Sequence, residues 1–245
     1  MQSGRSKNTL SKWTDASVRN DSAQENTTPM QNNAPNRAEE ALFSAEIETD
    51  PKRKCILEAA IETFAQNGFR GTDVQEVANL ASVGKGTVYR SYGTKEELFW
   101  AVSREVDGRL IKHINDGLKQ PSEDYRDHLR SIAIRFAEFH AQNPSCLEIA
   151  ILARSEFQGS IPEHHLAQHR EQLEILTTQF ENFQQTACGH SVSSRDLMYC
   201  FIAMLRGVVN MYCYAESFEW SKSLVEFMEI SVDVFLRGLE QDGAQ

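Results

Sequence analysis

The chain has 245 residues, 40% of them hydrophobic and 24% charged, the balance of a soluble globular protein with one large or two small domains. No run approaches the ~18 apolar residues of a membrane helix. The start MQSGRSKNTLSKW lacks an apolar leader core, and Cys55, Cys146, Cys188, Cys200 and Cys213 are dispersed and odd in number, so the expectation is a cytoplasmic protein with reduced thiols and no membrane partner.

The net charge of −10 argues against a nucleic-acid partner until its distribution is read. Residues 1–49 carry 5 basic and 7 acidic side chains, residues 50–95 carry 7 and 5, and residues 96–245 carry 13 and 23. Only the middle segment is positive, and an acidic body behind it would steer a polyanion to that segment alone.

Residues 1–49 are rich in Ser, Asn, Gln, Thr and Ala and poor in large apolar groups. They read as a disordered tail, because they cannot bury enough surface to offset ordering entropy; residues 38–48 could form a short helix. Order begins at Asp50-Pro51, an N-cap followed by proline at the first helical position. Ile56, Ala59, Ala60 and Phe64 give the first helix an apolar stripe to about Asn67, with Gly68 as its terminator. Thr72, with Gln75 as capping-box partner, is read as opening a second helix carrying Val74, Val77 and Ala78. A turn at Ala81-Ser82-Val83-Gly84 leads into a short basic helix, Lys85 to Arg90, ending near Gly93. Thr94 and Glu97 form a capping box for a fourth helix, which runs toward Asn115-Asp116-Gly117.

Beyond Pro121 the pattern remains helical. Ser122 caps a helix to about Gln142, Asn143-Pro144 starts one to about Phe157 with Gly159 behind it, and Pro162 starts a long one ending before Gly189. Ser193 or Ser194 caps the next, to about Tyr214, and Ser221 or Glu219 opens the last, to near Gly238. No sustained period-2 alternation or hairpin signal interrupts this series. The expected fold is all-α, about nine helices, with a tail over 1–49, a three-helix domain over 50–96 containing a helix-turn-helix, and a helical domain over 97–245.

The stretch from Ile56 to Leu98, ILEAAIETFAQNGFRGTDVQEVANLASVGKGTVYRSYGTKEEL, resembles the N-terminal DNA-binding domain of the TetR/AcrR transcriptional regulators. The likeness lies in the Ala-Ala and Phe of the first helix, its terminal Gly-Phe, the Thr after it, the Gly-Thr-Val-Tyr of the second motif helix and the Lys-Glu-Glu-Leu that follows. Two departures stand out. The family's turn usually reads Ala-Gly-Val-Ser, so here Ser82 must take the conformation glycine takes there, and Gly84 caps the recognition helix without a side-chain acceptor. Ser91 stands where the family often has His or Tyr.

The resemblance implies a ligand-responsive repressor that binds a pseudo-palindromic duplex operator as a homodimer, without a cofactor. Thr72, Lys85, Gly86, Thr87, Tyr89, Arg90, Ser91 and Lys95 are its implied DNA contacts. Lys85 sits at the helix end that points at base edges and can donate to guanine O6 and N7. Gly86 would let the backbone approach the DNA. Thr87 and Tyr89 suit phosphates. Lys95 adds its ammonium to the free N–H groups of a helix start, an anion site. Packing or capping is the plainer reading of the hydroxyls.

Useful specificity calls for two half-sites, hence a dimer. Phe201, Leu205, Val208 and Tyr212 on one helix, and Leu224, Phe227, Ser231 and Val234 on the last, are expected to build a four-helix bundle with their copies, unless these stripes fill the subunit's own core. A chamber for an unknown small-molecule effector is implied in the middle helices, with Phe136, His140, Phe157, Phe180, Tyr199 and Met204 as candidate lining.

His165 and His169 are spaced i, i+4 beside His164, but two helical histidines do not complete a metal site, so no metal is expected. No GxSxG, P-loop, HExxH or dinucleotide fingerprint points to an enzyme. The alternative to a regulator is a helical binding protein on the same scaffold with weakened or lost DNA recognition.

Overall fold

The computed structural model describes residues 50–118, 124–157, 160–186, 192–215, 217 and 219–239. The expected tail over 1–49 and its short helix, Ser122, Gly159 and Gly189 lie outside the described residues. Among those described there is no strand, and nine helices follow in order: α1 (Pro51–Gly71), α2 (Val74–Leu80), α3 (Lys85–Tyr92), α4 (Lys95–Gly117), α5 (Tyr125–Gln142), α6 (Pro144–Glu156), α7 (Glu163–Thr186), α8 (Ser194–Tyr212) and α9 (Leu224–Gly238). None of them is long and apolar enough to cross a membrane.

Local chemistry sets most of the boundaries. Asp50 accepts from the Lys52 amide and Pro51 follows, so α1 starts where its unpaired N–H groups are met. Gly68 breaks its helical path at φ 70° and ψ 172°. Thr94 and Glu97 cap α4 reciprocally. Some expected caps move. Asp124, not Ser122, caps α5, and Ser223, with Glu226 as its capping-box partner, opens α9 in place of Ser221 or Glu219.

Two apolar clusters organise the packing. The first joins α1–α3, most of the apolar face of α4, Phe139, Cys146 and Ile149, and Phe157. Within it Phe64, Phe69, Phe99, Trp100 and Phe157 form a continuous aromatic group with centroid spacings of 4.8–6.0 Å. The second cluster joins α5, α7, α8 and α9 around the fully buried Phe180, Phe201, Leu129 and Met228. α5 lies chiefly against α9, tied to it by the Arg130–Asp233 ion pair. α4 packs on α1, α3, α5 and α6, so it is the element that spans head and body. Arg109 of α4 holds Glu58 of α1 at 3.1 Å, and Arg70 at the end of α1 holds Glu156 at the end of α6 at 2.9 Å. These surface pairs fix register more than they stabilise.

Candidate nucleic-acid interface and effector chamber

The helix-turn-helix is built by α2, the turn and α3. Val74, Val77 and Ala78 of α2 and Val88 of α3 bury into the first cluster, which leaves the opposite face of α3 outward. Ser82 adopts φ 56°, in the left-handed region that glycine would take without a Cβ penalty. Gly84 caps α3 with extended backbone and no side-chain bond. The two exchanged turn residues therefore preserve the turn at a local conformational cost.

Lys85, at the first position of α3, is held by the Asp73 carboxylate at 2.9 Å. Asp73 does two jobs, since the same oxygen accepts from the Gln75 amide as the N-cap of α2. These bonds hold the Asp73 carboxyl below the usual range, and the Asp73 bond raises Lys85 in turn. Gly86 is exposed, and a Cβ there would meet nothing within 4 Å in the free protein. The chain itself does not require glycine at that point. Tyr89 is 43% exposed and Arg90 is also outward. Thr87 and Ser91 are half-buried.

Two expected contacts are placed differently. Thr72 does not cap α2; Asp73 does. Thr72 is only 3% exposed, and its hydroxyl donates to the Gly68 carbonyl at 2.8 Å and the Thr63 carbonyl at 3.3 Å. It meets carbonyls freed by the break at Gly68, which turns it away from solvent. Lys95 likewise is not a free anion site. Its ammonium donates to the Thr72 carbonyl at 3.1 Å and lies 4.8 Å over the Phe69 ring. The amides at the start of α4 are met by Thr94 and Glu97, and the Glu97 carboxylate opposes an incoming anion.

The proposed chamber residues do not form one set. Phe157 belongs to the aromatic group under the head, against Phe69, Phe99 and Trp100. Phe180 is fully buried in the second cluster, against Tyr125 and Phe201. Tyr199 is 51% exposed on the outside of α8. Phe136 and Met204 pack half-buried on the second cluster, and His140 is buried between Phe136 and Phe139, at 4.7 and 5.3 Å. Burial holds the His140 imidazole down at about 4, hence neutral, with Arg206 acting in the same direction.

A polar group that periodicity did not single out lies opposite. Asp107 of α4 approaches the buried His165 of α7 at 3.9 Å, and His165 lies 4.9 Å from the Trp100 ring. Burial raises the Asp107 carboxyl to about 7, against the opposing pull of Arg206 of α8. The side chains of His164 and His169 lie outside the described residues; His165 faces the interior, not a surface histidine stripe. No three His, Cys, Asp or Glu among the described residues are grouped to hold a metal.

The dimer candidates divide by burial. Phe201, Leu205, Val208 and Leu224 are buried in the subunit's own second cluster. Tyr212, Phe227 and Ser231 are half-buried, and the Ser231 hydroxyl is committed to the Phe227 carbonyl at 2.8 Å. Val234 is 67% exposed, in line with exposed Ile230. Met211 of α8 is exposed as well, and an added Cβ at Gly207 would meet nothing within 4 Å. Apolar stripes mark these helices as amphipathic, but only long-range packing decides which side each one keeps for itself.

Residues 56–102 match the family described as bacterial regulatory proteins, tetR family. An uncharacterized HTH-type transcriptional regulator, YhgD of Bacillus subtilis, is 34% identical over 101 residues, covering 40% of this chain and 51% of that protein. The chain spans about half or less of the length of the curated relatives it matches best. The fold resembles that of the fatty acid degradation regulator FadR of Bacillus halodurans, with a TM-score of 0.66, 17% identity, and coverage of 77% of this chain and 96% of that one. It also resembles the transcriptional regulator FadR of Bacillus subtilis, solved in complex with stearoyl-CoA, with a TM-score of 0.63, 20% identity, and coverage of 76% and 98%. Residues 56–102 thus carry the DNA-binding domain that the bacterial regulatory proteins of the tetR family share, and the curated relatives match the chain over this region.

Proposed function

We propose that this protein is a homodimeric, sequence-specific DNA-binding regulator. Its head, residues 50–96, reads an operator, and its body, residues 97–245, binds a small-molecule effector that releases repression. The observation that carries this reading is the outward face of α3. Lys85 stands at its start, Gly86 is open to close approach, and Tyr89 and Arg90 project from it. A helix of this kind offers one half-site, so the operator is expected as an inverted repeat with half-sites about one helical turn apart or a multiple of that. The exposed strip of Gly207, Met211, Ile230 and Val234 is the surface we assign to the second copy.

Coupling is assigned to α4, which packs against the recognition helix at one end and against α5 and α6 at the other. Trp100 lies on its head-proximal half, beside Ser91 to Thr94 on one side and His165 on the other. A ligand that displaces α4 in the body moves both heads of a dimer relative to each other, and that differential geometry is the coupling free energy.

The test is a band shift with inverted repeats drawn from the DNA flanking the protein's own gene. Binding is expected to be selective and to weaken steeply with salt. Gly86→Ala is expected to fold with unchanged thermal stability and to lose about tenfold or more in operator affinity, since one methyl at a close backbone approach displaces the helix from the groove. Absence of selective binding by the wild-type dimer would leave only a binding protein on a regulator scaffold.

A further inference from the structure

Lys95 stands at the first position of α4, yet its bonds run back to the end of α1. Its ammonium donates to the Thr72 carbonyl at 3.1 Å and to the Arg70 carbonyl at 3.4 Å, and it lies 4.8 Å over the Phe69 ring. The end of a helix leaves its last carbonyls without helical partners, at the negative end of the dipole, and a cation meets both needs. An ammonium has three N–H donors, and here two carbonyls and one ring face engage them. Glu97, two residues on, accepts from the Thr94 amide at 2.7 Å, so a carboxylate opposes any phosphate that approaches the same spot.

The group that Lys95 holds leads directly to the recognition helix. The Thr72 carbonyl belongs to the planar peptide unit whose other end is the Asp73 N–H and Cα. Fixing that plane fixes the direction in which the chain enters Asp73. Asp73 is the N-cap of α2, and the one oxygen that accepts from the Gln75 amide at 2.8 Å also holds Lys85 at 2.9 Å. From the α1 side the Thr72 hydroxyl is bonded to the Gly68 and Thr63 carbonyls. Phe69, beneath the ammonium, lies 5.5 Å from Phe99 of α4 and 4.8 Å from Phe157. The α1–α2 junction is therefore held from two directions, by α1 and by α4.

We propose that Lys95 is a positioning residue for operator recognition. Through the Thr72 carbonyl it sets the place of Asp73, and through the Asp73 carboxylate that of the Lys85 ammonium at the start of α3, without itself touching a phosphate. A displacement of α4 reaches base readout along this path as well as through its packing on α3. The proposal rests on the reading of the head as an operator-binding domain with Lys85 among its contacts.

The experiment measures binding of the full-length protein to operator and to random duplex over a salt series, for wild type, Lys95→Met, Lys95→Arg, Lys85→Ala and the Lys95→Met/Lys85→Ala double variant. Lys95→Met keeps the apolar stem over Phe69. It is expected to lose about tenfold in operator affinity, the scale of one charge-assisted bond, and less than about twofold in affinity for random duplex. The slope of log affinity against log salt is expected to stay as in the wild type, whereas loss of a phosphate contact lowers it by about 0.9. Lys95→Arg is expected to recover most of the operator preference, since a guanidinium reaches the same carbonyls. In the Lys85→Ala background Lys95→Met is expected to cost less than about twofold more, because two residues that act on one contact are not additive. A slope lower by about 0.9 would make Lys95 a phosphate contact, and equal losses on operator and random duplex would make it a stabilising residue only. Either result, or a full tenfold loss in the Lys85→Ala background, would overturn the proposal. Failure of the wild-type protein to prefer any operator strikes the regulator reading instead. Amide exchange then still reads the junction: Lys95→Met is expected to speed exchange of the Gln75 amide several-fold while α8 keeps its protection, and unchanged exchange at Gln75 would overturn the path from Lys95 to Asp73.

Discussion

Head and body use polar side chains in opposite ways. In the head three of the expected contact residues already have partners. Lys85 is held by Asp73, Lys95 by the Thr72 carbonyl and the Phe69 ring, and Thr72 by carbonyls of α1. In the body the buried His140 Nδ1 and Trp100 Nε1 have no hydrogen-bond partner among the described residues. A surface that must present one geometry to a rigid duplex gains from side chains held in place beforehand. The contrast is that polar side chains of the head are held by partners on neighbouring elements, whereas two buried polar groups of the body lack them, with α4 running between the two regions.

The largest test of that division is Phe99→Ala. Phe99 is fully buried on α4 and touches Phe64 and Phe69 of the head as well as Phe157 behind α6. Truncation is expected to destabilise by about 3–5 kcal/mol, the usual range for a fully buried phenylalanine. The loss falls on the head side: amide exchange should accelerate in α1–α3 while α8 and α9 keep their protection. Equal loss of protection in α8 and α9 would mean that the two clusters melt as one unit and that the contrast has no energetic counterpart.

A second test uses pH on two titratable groups of the body, Asp107 and His140. Burial raises Asp107 from 3.8 to about 7, with Arg206 opposing and His165 alongside. The folded state therefore holds that proton more tightly than the unfolded one. Its stabilisation is complete below about 3.8 and is lost as pH rises through about 7. His140 is displaced the other way, from 6.5 to about 4, so its contribution is full above 6.5 and is lost as pH falls through about 4. In thermal melts Asp107→Asn should match the wild type at or below about pH 3.8 and exceed it by a few degrees above pH 8, about 1 kcal/mol or more at this size. His140→Phe should flatten the acid limb between pH 6.5 and 4. A gap for Asp107→Asn that does not change with pH would show that the carboxyl stays ionised in the fold.

Much of the head was legible because its signals are local. The caps at Asp50 and Thr94, the break at Gly68 and the positive φ at Ser82 all follow from residues within four positions of one another. Where two adjacent residues could cap, local pattern could not choose. Thr72 and Asp73 both suit the start of α2, and the choice is made by carbonyls of α1 that attract the threonine hydroxyl. At α9 the reading took Ser221 or Glu219 and passed over Ser223, which Glu226, three residues on, completes as a capping box. The body was legible as helices but not as a site. An apolar stripe on α8 shows that Phe201 and Leu205 are buried, not that they are buried by α5, α7 and α9 of the same subunit. Phe157 follows a helix end whose destination under the head is set by Phe69 and Trp100, far away in the chain. Asp107 and His165 come from two helices, and no spacing along the chain brings them together.

The smallest effect, and the finest probe of the head, is Asp73→Asn. Asparagine is as good an N-cap as aspartate, so α2 keeps its start and thermal stability should move by less than about 0.5 kcal/mol. What the change removes is the charge that holds Lys85 at 2.9 Å. In the wild type a phosphate or a guanine edge must displace that carboxylate to reach the ammonium, so part of the attraction of Lys85 is cancelled before DNA arrives. Relieving it should raise affinity for random duplex DNA several-fold at low salt and steepen the dependence on salt by about one contact. The operator should gain less than random DNA, because Asp73 also repels sequences that do not reward its displacement. The ratio of operator to random affinity is thus expected to fall even as both rise. If both affinities rise by the same factor, the Asp73–Lys85 pair holds the side chain in place without contributing to discrimination; if neither moves, Lys85 lies outside the DNA contact and the outward face of α3 reads its site through Tyr89 and Arg90.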